Sequence, residues 1–143
     1  MYISKIFVTV DCVVLTSEES GYQILLIKRK NEPYKDSWAL PGGFVDENEA
    51  LEVAAARELE EETSIKATEL LQIGAFGKPF RDPRSHIVSI AYFTLLKEKV
   101  PAKAQDDAKE VGWFSINNLP LLAFDHAEII STALNKFIND QYI

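Results

Sequence analysis

Arg57, Glu58, Glu61 and Glu62 are the residues of this chain whose types and spacing could do chemistry. They close the segment Gly43 to Ile65 (GFVDENEALEVAAARELEEETSI), whose Ala and Leu content reads as a helix, with Asn48 placed to cap its start. On a helix Glu58 and Glu62 stand at i and i+4 with Glu61 beside them, so three carboxylates share one face. Arg57 lies four residues before Glu61 on the adjoining face. Stability alone argues against this arrangement. Like charges at i,i+4 cost about 0.2–0.5 kcal/mol per pair, and carboxylates in a last turn face the negative end of the helix dipole, at about 0.3–1 kcal/mol each when exposed. A hard divalent cation turns the repulsion into attraction, because Mg²⁺ prefers oxygen ligands. The plain alternative is a solvated acidic face, the usual meaning of an EELEE-type run.

Other elements must position that face. Ile6 to Leu15 is rich in β-branched residues and predicts a strand. After a turn over Thr16 to Gly21, Tyr22 to Lys30 predicts a second strand, which would make a hairpin with the first. Asn31 to Ser37 is a polar loop, and Trp38 to Val45 leads into the helix, expected from roughly Glu49 to Glu62. Lys66 to Phe76 predicts a strand that starts late, Gly77 to Ser85 a loop with two prolines and two arginines, and His86 to Leu96 a long strand. Lys97 to Glu110 reads as polar loop and Val111 to Ile116 as a short strand. A final helix is expected from Asp125 or His126 to about Asn139, with Ile129, Ile130, Ala133, Leu134, Phe137 and Ile138 as its buried stripe. Strand pairs alternating with two main helices imply an α/β fold, a mixed sheet packed between helices.

The chain has 143 residues, expected to form one domain over 1–143, with an ordinary 47% apolar and 26% charged content. A net charge of −7 argues against a nucleic-acid backbone as the main partner. It does not argue against a small anionic substrate, since a bound metal and local arginines outweigh the global field. The single cysteine, Cys12, allows no disulfide within the chain and no cysteine-based metal site. The N-terminal run is broken by Lys5 and Asp11, which reads as neither signal peptide nor membrane span and leaves the cytoplasm as the expected location.

The spacing of Gly43, Glu49, Arg57-Glu58-Leu59, Glu61-Glu62, Ser64 and Ile65 resembles the Nudix box, G-x5-E-x7-R-E-U-x-E-E-x-G-U with U aliphatic. The family hydrolyses compounds in which a nucleoside diphosphate is linked to another group. Every fixed position matches except the last glycine, which is Ser64 here. A glycine would end the helix with a positive φ; serine reaches that conformation at a cost, or the helix ends slightly differently, and no ligand is lost. The lead-in Trp38-Ala39-Leu40-Pro41-Gly42-Gly43-Phe44 also resembles the family's. The resemblance implies an α/β/α sandwich with the box as a loop-helix-loop at the substrate cleft.

It also implies roles. Glu58, Glu61 and Glu62 would bind Mg²⁺, with Mn²⁺ as a substitute and the Gly43 carbonyl as a further ligand. Arg57 would orient the carboxylates, an interaction that is also an ordinary helical salt bridge to Glu61. Glu49 would support the site or simply favour the helix dipole as a first-turn acid. The metal would bridge diphosphate oxygens and lower the pKa of a bound water, with Glu62, Asp106, Asp107 or Glu110 as the base; Asp107 is counted with Arg57, Glu58, Glu61 and Glu62 among the expected catalytic residues.

Gly77 to Arg84, the strand after it, and Trp113-Phe114 through Asp125-His126 resemble bacterial and archaeal ADP-ribose pyrophosphatases and the Nudix part of regulators of NAD metabolism. Arg81 and Arg84 sit on a proline-stiffened loop whose forked donors suit bidentate phosphate contacts, or pair with Asp82 at the surface. His86 either reaches the same site or starts its strand. Trp38, Phe44 and Phe80 are candidates to line the adenine site, although such aromatics are more often core. Asp125-His126 either lines the cleft or only begins a helix. The expected activity is Mg²⁺-dependent conversion of ADP-ribose to AMP and ribose 5-phosphate. The alternatives are an oxidised nucleoside triphosphate or another nucleotide sugar as substrate, a non-catalytic ADP-ribose sensor, or the fold used as a scaffold. The regulators carry an extra DNA-binding domain, whereas this chain stops at Ile143 and keeps all its carboxylates, which favours the enzyme. Many relatives are homodimers, and a homodimer is expected here.

Overall fold

The structure, a computed structural model, describes residues 3–104 and 108–139. Strands β1 (Ile6–Glu18) and β2 (Gly21–Arg29) form the expected hairpin, paired from Leu15↔Ile24 to Glu18↔Gly21. Gly21 turns the chain with a φ of 120°, open to glycine alone. Two short strands follow, β3 (Trp38–Ala39) and β4 (Gly42–Phe44), then helix α1 (Leu51–Thr63). The rest is β5 (Leu71–Phe76), β6 (His86–Leu96), β7 (Ala108–Ser115) and helix α2 (His126–Ala133). β1 runs parallel to β6 along its length, and every other pairing in the sheet is antiparallel, so the sheet is mixed as expected.

The period-two alternation of β1 places the helices on opposite faces. Val10, Cys12 and Val14 pack with Ala54, Ala55 and Leu59 of α1, while Val13 and Leu15 pack with Ile129, Ile130 and Ala133 of α2. Small alanines let α1 lie close to the sheet, near enough for the Cys12 thiol to donate to the Ala55 carbonyl at 3.6 Å. Burial pushes the Cys12 thiol pKa up, as an inert core thiol requires.

The seam between β1 and β2 creates the cleft. The two strands pair only near their turn, and beyond it β4 lies against Thr9 to Asp11 of β1 while β3 lies against Ile27 and Lys28 of β2. The segment from Trp38 to Phe44 therefore fills the opening, with Cys12 N–H donating to the Pro41 carbonyl at 2.8 Å.

Several boundaries differ from the sequence expectation. Asn48 is not the cap: it has a φ of 64°, and Ala50 is the N-cap residue of a helix that starts at Leu51. The turn ahead of the helix is closed instead by Glu49, whose N–H donates to the Asp46 carbonyl while its side chain accepts from Asp46 N–H. The strand expected from Val111 begins at Ala108, because pairing with β2 extends to Arg29 past a bulge. The last helix changes to a π-helix over Leu134–Ile138.

Ser64 ends α1 with a φ of 68°, and its N–H donates to the Glu60 carbonyl. Serine thus takes the glycine-like conformation without shifting the carboxylates off the helix. That conformation costs an L-residue about 1–2 kcal/mol, partly offset by the lower unfolded-state entropy of serine than of glycine. Ser64→Gly is expected to raise unfolding stability by about 0.5–1 kcal/mol in a denaturant titration; a lower midpoint would show that the serine's own contacts outweigh the strain.

Candidate active site

A cleft of about 350 Å³ opens at the seam, lined in part by Thr9, Asp11, Arg29, Gly42, Gly43, Phe44, Glu58, Glu62, Arg84 and His126. The α1 wall is acidic. Glu62, 6% exposed, accepts the Gly42 N–H at 2.7 Å. The Glu58 carboxylate lies against Gly43: a Cβ there would stand 2.5 Å from it, so any larger residue would push the carboxylate from its place. Glu61 does not line the cleft; its side chain is 46% exposed and lies 3.2 Å from Arg57.

Arg57 organises these groups. Its Nε and Nη2 donate to both oxygens of Glu49 at 2.7 and 2.9 Å, Nη1 to Glu58 at 2.8 Å and Glu61 at 3.2 Å, and Nη2 to the Phe44 carbonyl at 3.1 Å. Hydrogen bonding to Glu49 is the largest of the effects that raise the Arg57 pKa. One guanidinium thereby joins the turn before the helix to the acidic face of the helix.

Facing this wall are guanidiniums from the end of β2 and the loop before β6. Arg84 forms a bidentate pair with Asp82 at 3.0 and 2.7 Å, and its guanidinium lies over the rings of Phe44 at 5.1 Å and Phe124 at 5.6 Å. Asp82 is 3% exposed; burial opposes its charge, but the side-chain and backbone donors of Arg84 hold its pKa below the usual carboxylate range. Arg29 lies over the Phe124 ring at 5.0 Å and donates from Nε to the Pro33 carbonyl. No carboxylate pairs with it among the described residues, and burial, then Arg84, lowers its pKa.

The sequence-derived candidates fare differently. Glu58, Glu62, Gly43, Phe44 and Arg84 come together at the cleft. Arg81 lines it too, but its side chain is 4% exposed and bonded to Asp125 at 2.9 and 2.6 Å and to the Ile87 carbonyl, so it pins the start of α2 to the loop. Trp38 and Phe80 lie apart from the residues that line the cleft. Trp38 packs edge-on against Phe114 beside the α2 core, and Phe80, at a φ of 70°, is turned out and 94% exposed. His86 bonds the Gly77 carbonyl at 2.9 Å, and Glu110 pairs with Lys28 at 3.3 Å. Asp106 and Asp107 lie outside the described residues. The sequence reading missed Asp11, Arg29 and Phe124. A lone acid inside the apolar run of β1 was the available signal for Asp11; Arg29 reads as the ordinary polar end of a strand.

The donor set suits a hard divalent cation, since Glu58, Glu62 and the backbone at Gly43 offer only oxygens beside one another. Among the described residues no three acidic, histidine or cysteine side chains converge into a ready-made nest; Glu61 accepts from Arg57 at 3.2 Å.

A family model of the NUDIX domain matches residues 5–133. The chain is 48% identical over 123 residues to an ADP-ribose pyrophosphatase of Methanocaldococcus jannaschii, covering 86% of this chain and 70% of that protein. It matches the NUDIX domain of Shewanella oneidensis NrtR complexed with ADP ribose at a TM-score of 0.88 and 31% identity, covering 94% of this chain and 90% of that one. A bifunctional NMN adenylyltransferase/ADP ribose pyrophosphatase from Francisella tularensis, complexed with AMP and a manganese ion, matches at a TM-score of 0.81 and 34% identity, covering 91% of this chain and 41% of that one.

The Arg57 hub has a pH signature. Its hydrogen bonds, with the Asp46 N–H, hold the Glu49 pKa down at about 2, against an ordinary value of 4.5. A pKa depressed by folding contributes stability above the unfolded value, and that contribution disappears as pH falls from about 4.5 to about 2. Glu49→Gln is expected to make the acid limb of stability shallower in that window, read by denaturant titrations at stepped pH; identical limbs would uncouple Glu49 from folding.

Proposed function

The chain belongs to the NUDIX family, and on that premise we propose that it is a divalent-metal-dependent pyrophosphohydrolase that cleaves ADP-ribose to AMP and ribose 5-phosphate. The observation that carries this reading is the charge pattern of one cleft: carboxylates on α1 facing guanidiniums at Arg29 and Arg84. A diphosphate matches both walls, needing a cation to approach the first and being itself the counter-ion of the second. The similarity to the ADP-ribose pyrophosphatase of M. jannaschii and to the ADP-ribose-bound domain of NrtR supports the substrate. The manganese-bound relative supports the use of a divalent metal. Among the described residues no helix is long and apolar enough to cross a membrane.

In this reading Glu58, Glu62 and the Gly43 carbonyl hold Mg²⁺, and Glu61 joins them by turning from Arg57. The bound metal supplies charge neutralisation at phosphorus and acidifies the attacking water. Of the candidate bases, Glu62 lines the described cleft and is assigned to take the water's proton. Arg84, braced by Asp82 and lying over two phenyl rings, and Arg29, which has no carboxylate partner among the described residues, hold the diphosphate. Phe44, 42% exposed beside Arg84, offers a face to a planar group of the substrate.

The test is product release from ADP-ribose, NADH, ADP-glucose and 8-oxo-dGTP with Mg²⁺. Diphosphate cleavage is scored by phosphate freed after alkaline phosphatase, and triphosphate cleavage by pyrophosphate. ADP-ribose is expected to be the preferred substrate, and Glu62→Gln to lower turnover by about 10²-fold or more with the fold intact. Preference for another compound would overturn the substrate, and binding of ADP-ribose without turnover would make the protein a sensor. Arg84→Ala and Arg29→Ala are each expected to raise KM for ADP-ribose by about tenfold, the size of one charge-assisted contact, with a smaller fall in kcat. An unchanged KM would remove that arginine from the substrate site.

A further inference from the structure

Three buried polar residues have no part in the chemistry above: Asp11 and His126, which line the cleft, and Ser89 behind Asp11, at 7%, 4% and 0% exposed. Asp11 stands in the row of β1 whose next members, Val13 and Leu15, pack toward α2. A carboxylate at that position is costly unless it has partners. Ser89 Oγ donates to Asp11 Oδ2 at 2.5 Å, and His126 Nε2 lies 3.5 Å from Asp11 Oδ1. On the other side of the ring, Leu40 N–H donates to His126 Nδ1 at 3.0 Å.

That last bond defines the ring. A nitrogen accepting from a backbone N–H carries no proton, so the ring is neutral and its proton sits on Nε2, directed at Asp11. Burial lowers the His126 pKa and acts in the same sense. With the Nδ1 lone pair taken by Leu40 and Nε2 protonated 3.5 Å from Asp11, the imidazole has no lone pair free for a base or a metal ligand. What it holds is the Leu40 amide.

Leu40 opens the segment that reaches the acidic wall. Pro41 accepts the Cys12 N–H at 2.8 Å, Gly42 N–H donates to Glu62 at 2.7 Å, and Gly43 lies under the Glu58 carboxylate. Gly42 is pressed against β1, where a Cβ would collide with the Val10 carbonyl and stand 2.5 Å from Asp11 Oδ1. The segment is thus fixed by α2 at Leu40, by β1 at Pro41 and Gly42, and meets α1 at Gly42 and Gly43.

We propose that His126, braced by Asp11 and Ser89, is a positioning residue for the metal-binding carboxylates: by holding the Leu40 amide it sets where Gly42 and Gly43 stand, and so where Glu62 and Glu58 present their oxygens. The inference rests on the metal-site assignment proposed above. Partners that orient ligands without touching the metal carry such effects in metal sites generally.

Two substitutions separate this role from simple packing. His126→Leu fills the space without an acceptor, whereas His126→Asn places an amide oxygen near the position of Nδ1. The readouts are the Mn²⁺ dissociation constant by electron paramagnetic resonance without substrate, kcat and KM for ADP-ribose, and thermal unfolding. His126→Leu is expected to weaken Mn²⁺ by about 10–100-fold and to lower kcat more than it changes KM; His126→Asn recovers most of both. A folded His126→Leu protein with the parent's Mn²⁺ affinity and kcat overturns the inference, as does an equal loss in the two variants. A parent that binds no Mn²⁺ overturns the metal-site reading and the inference with it. Should His126→Leu not fold, the unmodified protein still decides: long-range ¹H–¹⁵N spectra, assigned with His86→Gln, are expected to show the proton on Nε2. A proton on Nδ1 would overturn the inference.

Discussion

Gathering carboxylates on one helix face is the constraint around which this structure is arranged, and Arg57 is the group that makes it tolerable. An isolated surface ion pair is worth about 0–1 kcal/mol, but Arg57 makes a network, reaching Glu49, Glu58, Glu61 and the Phe44 carbonyl together. Its planar fork suits that task, and a lysine with one point charge does not. The bonds to Glu49 and Phe44 also tie the loop before α1 to the helix. That brings Gly43 under Glu58, so the group that offsets the repulsion also builds the cleft.

The cleft itself follows from an interrupted strand pairing. Had β1 and β2 stayed paired beyond Leu15↔Ile24, the seam would be closed by backbone hydrogen bonds. Because they part, β3 and β4 supply those bonds at the two flanks, and backbone from Leu40 to Gly43 is left at the cleft floor. Backbone buried in such a gap needs partners outside the regular ladder. His126 for Leu40, Cys12 for Pro41 and Glu62 for Gly42 are those partners. Structural satisfaction and preparation of the site are therefore achieved by the same contacts.

The arginines divide by partner. Arg81 is buried and matched by Asp125, so it fixes the loop before β6 to the start of α2. Arg84 is matched by Asp82 yet 38% exposed, with its guanidinium over two aromatic rings. Arg29 has, among the described residues, a backbone carbonyl and a ring face. Burial and partner, neither visible in residue type, sort three identical side chains into a buried brace and two cleft-lining guanidiniums.

Local pattern alone determined much of this protein. The alternation of β1 and β6, the hairpin, the acidic helix and the buried stripe of α2 are short-range periodicities, and each element appears close to its expected bounds. The spacing of Gly43, Arg57, Glu58 and Glu62 is also local, since the helix sets which of them share a face and they lie within one loop and one helix. Tertiary structure decided the rest. Asp11, Ser89, His126 and Leu40 meet across as many as 86 residues of sequence, and no periodicity announces such a meeting. Trp38 and Phe80 were equivalent aromatic candidates until packing placed one beside the core and a positive φ turned the other to solvent. Periodicity follows from the geometry of one element, whereas side-chain partners follow from how elements cross, and crossing is settled only when the whole core packs.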